Sequence, residues 1–372
     1  MSEGEASTSY ERKYVKPVPS VESMRDMALW KKSNAYYDII SFISMINEAV
    51  QGKKLSTKLI PSPIADNLLH IFDALNKMID ETPQTLGNQA YRDWFEKMRS
   101  DSTELLKKEL PVIPHHALIE VSKYFIESFG NATRIDYGPS HELAFIMFLC
   151  ALYKIHVLDE SDNLCVGLKI FNAYLQVVRR LQLTYSMETA GSHGVSSMYD
   201  DQYLPFIWGS AQLCAKEPFE PNRSLETNVI RRFKNEYYVI GCIDHFRQVN
   251  TDSFAEYSNP LWSTSSVYSW VKINSILIEN YEKELLAEFP VIQHVLFGSI
   301  LELKEISVID QIKKMKIEMK NEMKNEIKGM HQQLNKPTTI WEMISSQLVW
   351  LFSLRWTTIS NKVSKLISGS KH

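Results

Sequence analysis

The sequence predicts an all-α fold, and three observations support this prediction. Apolar residues recur at spacings of three and four along most of the chain, which is the period of one helix face. Strict alternation of apolar and polar residues is scarce, and no strand–helix–strand alternation is present. Apolar residue types make up 44% of the 372 residues, which is enough for a sizeable buried core.

Eight segments show the helical period. Pro114 suits the first turn of a helix, where its missing N–H costs nothing, and Gly130 suits a C-cap. The helix that follows Ser140 is apolar nearly all round, which predicts complete burial. The predicted helices cover 21–50, 64–79, 91–110, 114–130, 141–157, 164–185, 228–249 and 265–289.

Composition divides the chain into four parts. Residues 1–20 are polar and predict a disordered or extended arm, and 21–303 hold the helical domain. Residues 304–336 form a charged helix with a stripe of methionines, which suits either a solvated helix or an adaptable partner surface. The Trp-rich tail 337–372 either docks on its own core or lies at a membrane interface or in a partner groove.

Charge and cysteine usage exclude several classes of protein. A formal net charge of −3 gives no bulk attraction for nucleic acid. The N-terminus does not fit a signal peptide, and no apolar run reaches the roughly 18 residues that a membrane span needs. The cysteines lie far apart without a C-x-x-C, so we expect buried, reduced thiols in a soluble intracellular protein. They are Cys150, Cys165, Cys214 and Cys242.

A first candidate loop runs from Arg134 to Glu142, with the sequence R-I-D-Y-G-P-S-H-E. It combines a guanidinium, a carboxylate, a glycine and a helix start, which favours binding of a phosphate or another anion. The alternative is that Arg134 and Asp136 merely pair across the loop.

Two further loops carry chemistry. The Gly/Ser-rich segment 191–201 ends in two aspartates that would suit Mg²⁺, although an ordinary inter-helix loop explains it equally. The apolar stretch after it, Tyr203 to Trp208, is typical of core. In the third loop, 289–299, His294 stands among apolar residues, where a histidine is usually packed in a core. No phosphate-cradle motif or nucleophile–base pair is present, which leaves a helical adaptor and a phosphate-handling enzyme both open.

The same loops carry a family resemblance. They resemble the phosphotyrosyl phosphatase activator family, whose members activate protein serine/threonine phosphatase 2A, and the similarity runs from about Pro17 to Ile300. The strings that carry it are R-I-D-Y-G-P-S-H-E-L-A-F, A-G-S-H-G-V, D-D-Q-Y-L-P-F-I-W-G-S-A-Q-L, F-A-E-Y-S-N-P-L-W and K-E-L-L-A-E-F-P-V-I-Q-H-V-L-F-G-S.

The resemblance implies an all-α fold with core, linker and lid subdomains around a deep pocket. It implies binding of ATP with Mg²⁺, and docking on the scaffold and catalytic subunits of phosphatase 2A to assist assembly of the active enzyme, in the cytoplasm and nucleus. It also implies peptidyl-prolyl cis/trans isomerase activity on proline-containing segments. Such an isomerase needs only a pocket that prefers the twisted amide, so it requires no nucleophile.

The resemblance also assigns roles to residues. Gly194, through its backbone, and Asp200 would hold the metal. The residues implied to bind nucleotide are Arg134, Pro139, Ser140, Val291, Ile292 and His294.

The chain departs from the family pattern at two of these loops. Pro139-Ser140 replaces the usual Thr-Gly, and the 196–199 segment has Ser, Ser and Tyr where Trp, Gly and Asp are usual. Proline removes an amide donor, and losing a carboxylate weakens a site for a hard cation. A diverged, non-catalytic phosphatase-binding adaptor is therefore the second reading.

Overall fold

A computed structural model describes residues 13–82, 89–190, 202–249 and 269–307 of the chain. The chain divides into two compact units, the first ending at Lys304 and the second beginning at Glu305. Of the second unit only 305–307 are described, so the fold below is that of the first.

The described part of the first unit is mostly helical, which confirms the all-α prediction. Its α-helices are α1 (Asp26–Trp30), α2 (Asn34–Ala49), α3 (Pro63–Glu81), α4 (Gln89–Glu109), α5 (Leu118–Glu127), α6 (Pro139–Lys154), α7 (Asn163–Cys165), α8 (Phe171–Tyr185), α9 (Leu204–Cys214), α10 (Thr227–Phe233), α11 (Tyr238–Val249), α12 (Trp270–Asn280) and α13 (Phe289–Ile292). A π-helical turn, Val166–Ile170, joins α7 to α8, and a second one, Tyr281–Leu285, continues α12.

Four short strands form two small sheets. β1 (Val18–Pro19) pairs antiparallel with β4 (Leu296–Phe297), and β2 (Asp136–Tyr137) pairs parallel with β3 (Glu188–Thr189). The end of the predicted N-terminal arm is therefore extended and attached to the helical domain through β1.

Local chemistry explains where several helices begin. Ser33 caps α2, and Ser62 caps α3, each accepting a hydrogen bond from an amide in the first turn. Pro63 then occupies the first position of α3, where a missing N–H is harmless.

Three predicted boundaries were wrong. The helix expected over 21–50 is two helices, since α1 ends at Trp30 and Ser33, in an extended conformation, caps α2. The helix expected over 228–249 breaks after α10, where the Tyr238 amide donates to the Gln212 side chain instead of continuing the helical pattern. Gly130 is not a C-cap, since Ser128 occupies that position; Gly130 has a φ of +111° at a close approach to the Tyr91 hydroxyl.

The centre of the core is formed by α6 and α9. α6 packs against α5 and α2, and α9 packs against α11 and α12. Every residue of α9 is buried, which confirms the apolar segment after the 191–201 loop as core. All four cysteines are buried and free, as predicted. Among the described residues, no helix is long and apolar enough to cross a membrane.

Candidate functional site

A cavity of about 260 Å³ lies where α5, the N-terminus of α6 and the segment after α13 meet. Its lining includes Arg134, Ser140 and His294, three of the residues that the family resemblance implies to bind nucleotide. Pro19 of β1 and Leu296 of β4 contribute apolar surface. The volume is near the lower end of the range for small-molecule pockets.

The Asn131 side chain stabilises the loop that carries Arg134. The Asn131 side chain accepts hydrogen bonds from the amides of Thr133 and Arg134, at 2.9 and 3.0 Å. Ile135 then adopts a φ of +57°, which is unusual for a β-branched residue, and Asn131 and Asp136 meet in an isolated bridge. This tight turn brings the side chains on either side of Ile135 together.

Arg134 and Asp136 form a salt bridge, with 2.6 Å between Nε and Oδ2. The pairing that the sequence offered as an alternative is therefore present, but it does not withdraw the arginine from the cavity. The Arg134 side chain is 50% exposed, and the bridge uses only Nε. Within the described residues, its two terminal amino groups have no partner, so they remain available to an anion.

The N-terminus of α6 closes one side of the cavity. Gly138 is its N-cap, a position predicted for Ser140 or a neighbour, and the amides of His141 and Glu142 both donate to the Gly138 carbonyl. Pro139 at the first position has no amide hydrogen to offer. The Ser140 amide is thus the first-turn donor that has no partner among the described residues.

His141 is a cavity residue to which the sequence assigned no role. It is only 6% exposed, and its Nδ1 lies 2.7 Å from the Glu127 carbonyl oxygen. Its Nε2 lies 3.9 Å from Asp136 Oδ1, and neither atom has a hydrogen-bond partner in the described part of the chain. Burial lowers the pKa of His141, and Arg134 contributes to the lowering. Its place in the first turn of α6 was the available signal.

The opposite wall differs in part from the predicted one. His294 is exposed and lines the cavity, so the alternative of a packed core histidine is excluded. Partial burial lowers its pKa, with Arg134 adding to the effect. Val291 and Ile292, in α13, are not among the residues that line this cavity, and Ile292 is fully buried. Val295 and Leu296 take that position.

A buried carboxylate that the sequence did not single out holds this wall in place. Glu120 of α5 has no exposed surface and accepts hydrogen bonds from the amides of Ser299 and Ile300, at 2.9 and 2.8 Å. It also accepts from the Ser299 hydroxyl and from the hydroxyl of Tyr124, which lines the cavity. Gly298 is required beside it, because a Cβ there would overlap the Glu120 carboxylate.

The predicted metal ligands, Gly194 and Asp200, lie outside the described residues, as do the substituted positions 196–199. In the described ranges, no group of three or more His, Cys, Asp or Glu side chains could hold a metal ion. The chain after that segment is anchored by the buried Glu142, whose Oε2 accepts from the amides of Tyr203 and Leu204. Burial raises the pKa of Glu142 to about 8.

The donor set of the cavity fits the phosphate end of a nucleotide. The available terminal amino groups of Arg134, the Ser140 amide and the positive end of the α6 dipole all favour an anion. The Glu127 carboxyl on the lining opposes one, and burial raises the pKa of this carboxyl.

Comparison with known proteins identifies the family. The family model described as "Phosphotyrosyl phosphate activator (PTPA) protein" matches residues 17–303. The serine/threonine-protein phosphatase 2A activator of Drosophila melanogaster is 46% identical over 292 residues, which are 77% of this chain and 73% of that protein. The probable serine/threonine-protein phosphatase 2A activator 1 of Dictyostelium discoideum is 35% identical over 296 residues, covering 78% and 91% respectively.

A solved structure agrees. The crystal structure of the PP2A phosphatase activator Ypa1 is 27% identical and superposes with a TM-score of 0.71 over 79% of this chain and 97% of that one. The chain therefore belongs to the phosphotyrosyl phosphate activator (PTPA) protein family.

Proposed function

We propose that this protein activates serine/threonine phosphatase 2A. The observation that carries the proposal is the family match over 17–303, together with relatives that are named as activators of that phosphatase. Direct contact with the scaffold and catalytic subunits is part of the proposal.

We further propose that the activity depends on ATP and Mg²⁺, with the cavity as the site for the nucleotide's phosphates. The terminal amino groups of Arg134 would bind phosphate oxygens, and the Ser140 amide would donate to them from the start of α6. His294, on the opposite wall, would limit how deeply a ligand enters. Bound Mg·ATP supplies a polyanion with a cleavable terminal phosphate, and Gly194 and Asp200 are the proposed metal ligands.

Peptidyl-prolyl isomerase activity is a further part of the proposal. Binding a twisted X-Pro amide requires an apolar surface for the proline ring and a donor for the amide oxygen. The apolar lining at Leu296 and Val295, with the donors of Arg134 nearby, has this combination.

The test of the activator role is reactivation of an inactive scaffold–catalytic dimer of phosphatase 2A, with and without Mg·ATP. We expect reactivation that requires the nucleotide, and we expect Arg134→Ala to reduce it. Arg99→Ala is the matched control, because Arg99 pairs only with Glu96 on the exposed face of α4 among described partners. Equal activity of both variants would exclude Arg134 from the nucleotide site.

The second candidate is an adaptor that binds the phosphatase without using ATP. It is favoured by Pro139, which removes one first-turn donor, and by the engagement of Arg134 Nε with Asp136. Calorimetry that detects no Mg·ATP binding, together with retained binding to the dimer, would select this reading. Reactivation that depends on ATP would exclude it.

A further inference from the structure

When His141 is neutral, the facing atoms of His141 and Asp136 cannot form a hydrogen bond with each other. A carbonyl oxygen can only accept, so the 2.7 Å contact to the Glu127 carbonyl places the ring proton of neutral His141 on Nδ1. Nε2 then carries a lone pair, and it faces the Asp136 carboxylate at 3.9 Å. Two acceptors oppose each other, each buried and each without another partner among described residues.

A proton on Nε2 would resolve this opposition. The imidazolium would keep its bond to the Glu127 carbonyl and would gain a charge-assisted hydrogen bond to Asp136. What keeps the proton away, besides burial, is the positive charge of Arg134 and the proximity of His294. Asp136 already has Arg134 as its partner, so its attraction for a second cation is reduced.

Among the charged groups around His141, Arg134 is the one whose charge a ligand in the cavity can most readily neutralise. The Tyr137 ring stacks on the imidazole at 5.8 Å between centroids, and the Tyr174 hydroxyl lies 3.4 Å from the His141 carbonyl. Burial raises the pKa of Tyr174 well above its ordinary value, so that hydroxyl stays neutral. Glu127, on α5, faces the ring with its carbonyl, and its half-buried carboxyl lines the same cavity.

We infer that binding of an anion to the terminal amino groups of Arg134 is coupled to uptake of a proton by the His141–Asp136 pair. An anion bound at Arg134 neutralises the positive charge that opposes protonation of His141. Protonated His141 then forms its hydrogen bond to Asp136. Linkage is reciprocal, so protonation of His141 equally strengthens anion binding. The inference rests on the proposed function in one respect, namely that this cavity receives phosphates.

Sulfate is the suitable probe, because it resembles a phosphate group but does not itself titrate near neutral pH. The imidazole nitrogens of the full-length protein are followed by long-range ¹H–¹⁵N spectra through a pH series, in sulfate and in chloride of equal ionic strength. His141→Asn assigns the signal, since the Asn amide can keep the bond to the Glu127 carbonyl but has no titrating nitrogen. We expect sulfate to raise the pKa of His141.

Arg134→Gln tests the same coupling without any ligand. This side chain is half exposed, so the fold should tolerate the change. We expect the variant to raise the pKa of His141 in chloride alone, and sulfate to produce no further rise. An unchanged pKa of His141 both in this variant and in sulfate would overturn the inference. A rise in the variant but none in sulfate would overturn the link to the anion.

Calorimetry supplies the reciprocal measurement. Sulfate affinity should increase as the pH falls, by at most about tenfold per pH unit, which is the limit for one linked proton. His141→Asn should reduce this dependence, whereas His70→Asn, at an exposed position of α3 that is not on the cavity lining, should retain it. Sulfate binding without proton uptake would overturn the coupling and leave the anion site intact. Failure of ATP-dependent phosphatase reactivation alongside a sulfate-dependent pKa would instead reject the proposed function.

Discussion

Replacement of Glu120 by alanine should destabilise the protein strongly and loosen one wall of the cavity. The carboxylate is the acceptor for the amides of Ser299 and Ile300 and for the Tyr124 hydroxyl, at 2.8–2.9 Å. Its removal leaves these donors and the Ser299 hydroxyl, which are buried or half-buried, without that acceptor, at about 1 kcal/mol each. We therefore expect a loss of at least ~3 kcal/mol in the free energy of unfolding.

The measurement is urea unfolding followed by circular dichroism. Glu104→Ala is the control, because Glu104 lies on α4 with a side chain that is 77% exposed, and it should unfold like the unchanged protein. Glu120→Gln should be intermediate, since the amide keeps the shape but points its NH₂ group at a donor. Tyr124 and Leu296 line the cavity, so sulfate or ATP binding by folded Glu120→Ala should also weaken. Unfolding of Glu120→Ala at the same urea concentration as Glu104→Ala would refute the reasoning.

Three further predictions test single contacts. Gly298→Ala should lower the temperature of thermal unfolding, because its Cβ would overlap the Glu120 carboxylate, and a variant that melts together with the unchanged protein would contradict this. The pKa of Glu142 is raised to about 8 in the folded protein. Protonation of Glu142 therefore stabilises the folded state at a pH below the ordinary carboxyl pKa, and this stabilisation is lost as the pH rises towards 8. Glu142→Gln should flatten the pH dependence of unfolding in that window. Pro139→Ala restores a first-turn amide at the cavity and should increase sulfate affinity in calorimetry, whereas unchanged affinity would show that this amide does not reach the anion.

Helix content could be predicted from the sequence because burial of one helix face leaves a periodic pattern. The segment that became α3 is the clearest case, since the predicted helix 64–79 lies within Pro63–Glu81. The segment that became α9 was predicted only as core, because it is apolar on all sides and has no such period. One of the errors occurred at a boundary that a distant residue decides. The break before Tyr238 depends on the side chain of Gln212, which is 26 residues away, and no local pattern indicates it.

The candidate site could be predicted only where its residues have local signatures. A guanidinium beside a helix start predicted an anion site at Arg134, and the family resemblance added Ser140; both residues line the cavity. His141 and Glu120 were missed, and for Glu120 the reason is that its role depends on contacts across the fold. Glu120 bonds to amides about 180 residues further along the chain. Residues that lie so far apart in the chain have no characteristic spacing, so the contact of this buried carboxylate cannot be predicted from the sequence.

The charges around the cavity nearly cancel, although the loop sequence predicted binding of an anion. Asp136 offsets Arg134 through their salt bridge, and the lowered pKa values of His141 and His294 favour their neutral forms. Anion attraction must therefore come from the free side of the Arg134 guanidinium, the Ser140 amide and the helix dipole, all at short range. Such a site selects a ligand by shape more than by net charge. Protonation of His141 is the simplest way for the same residues to increase the positive charge of the site.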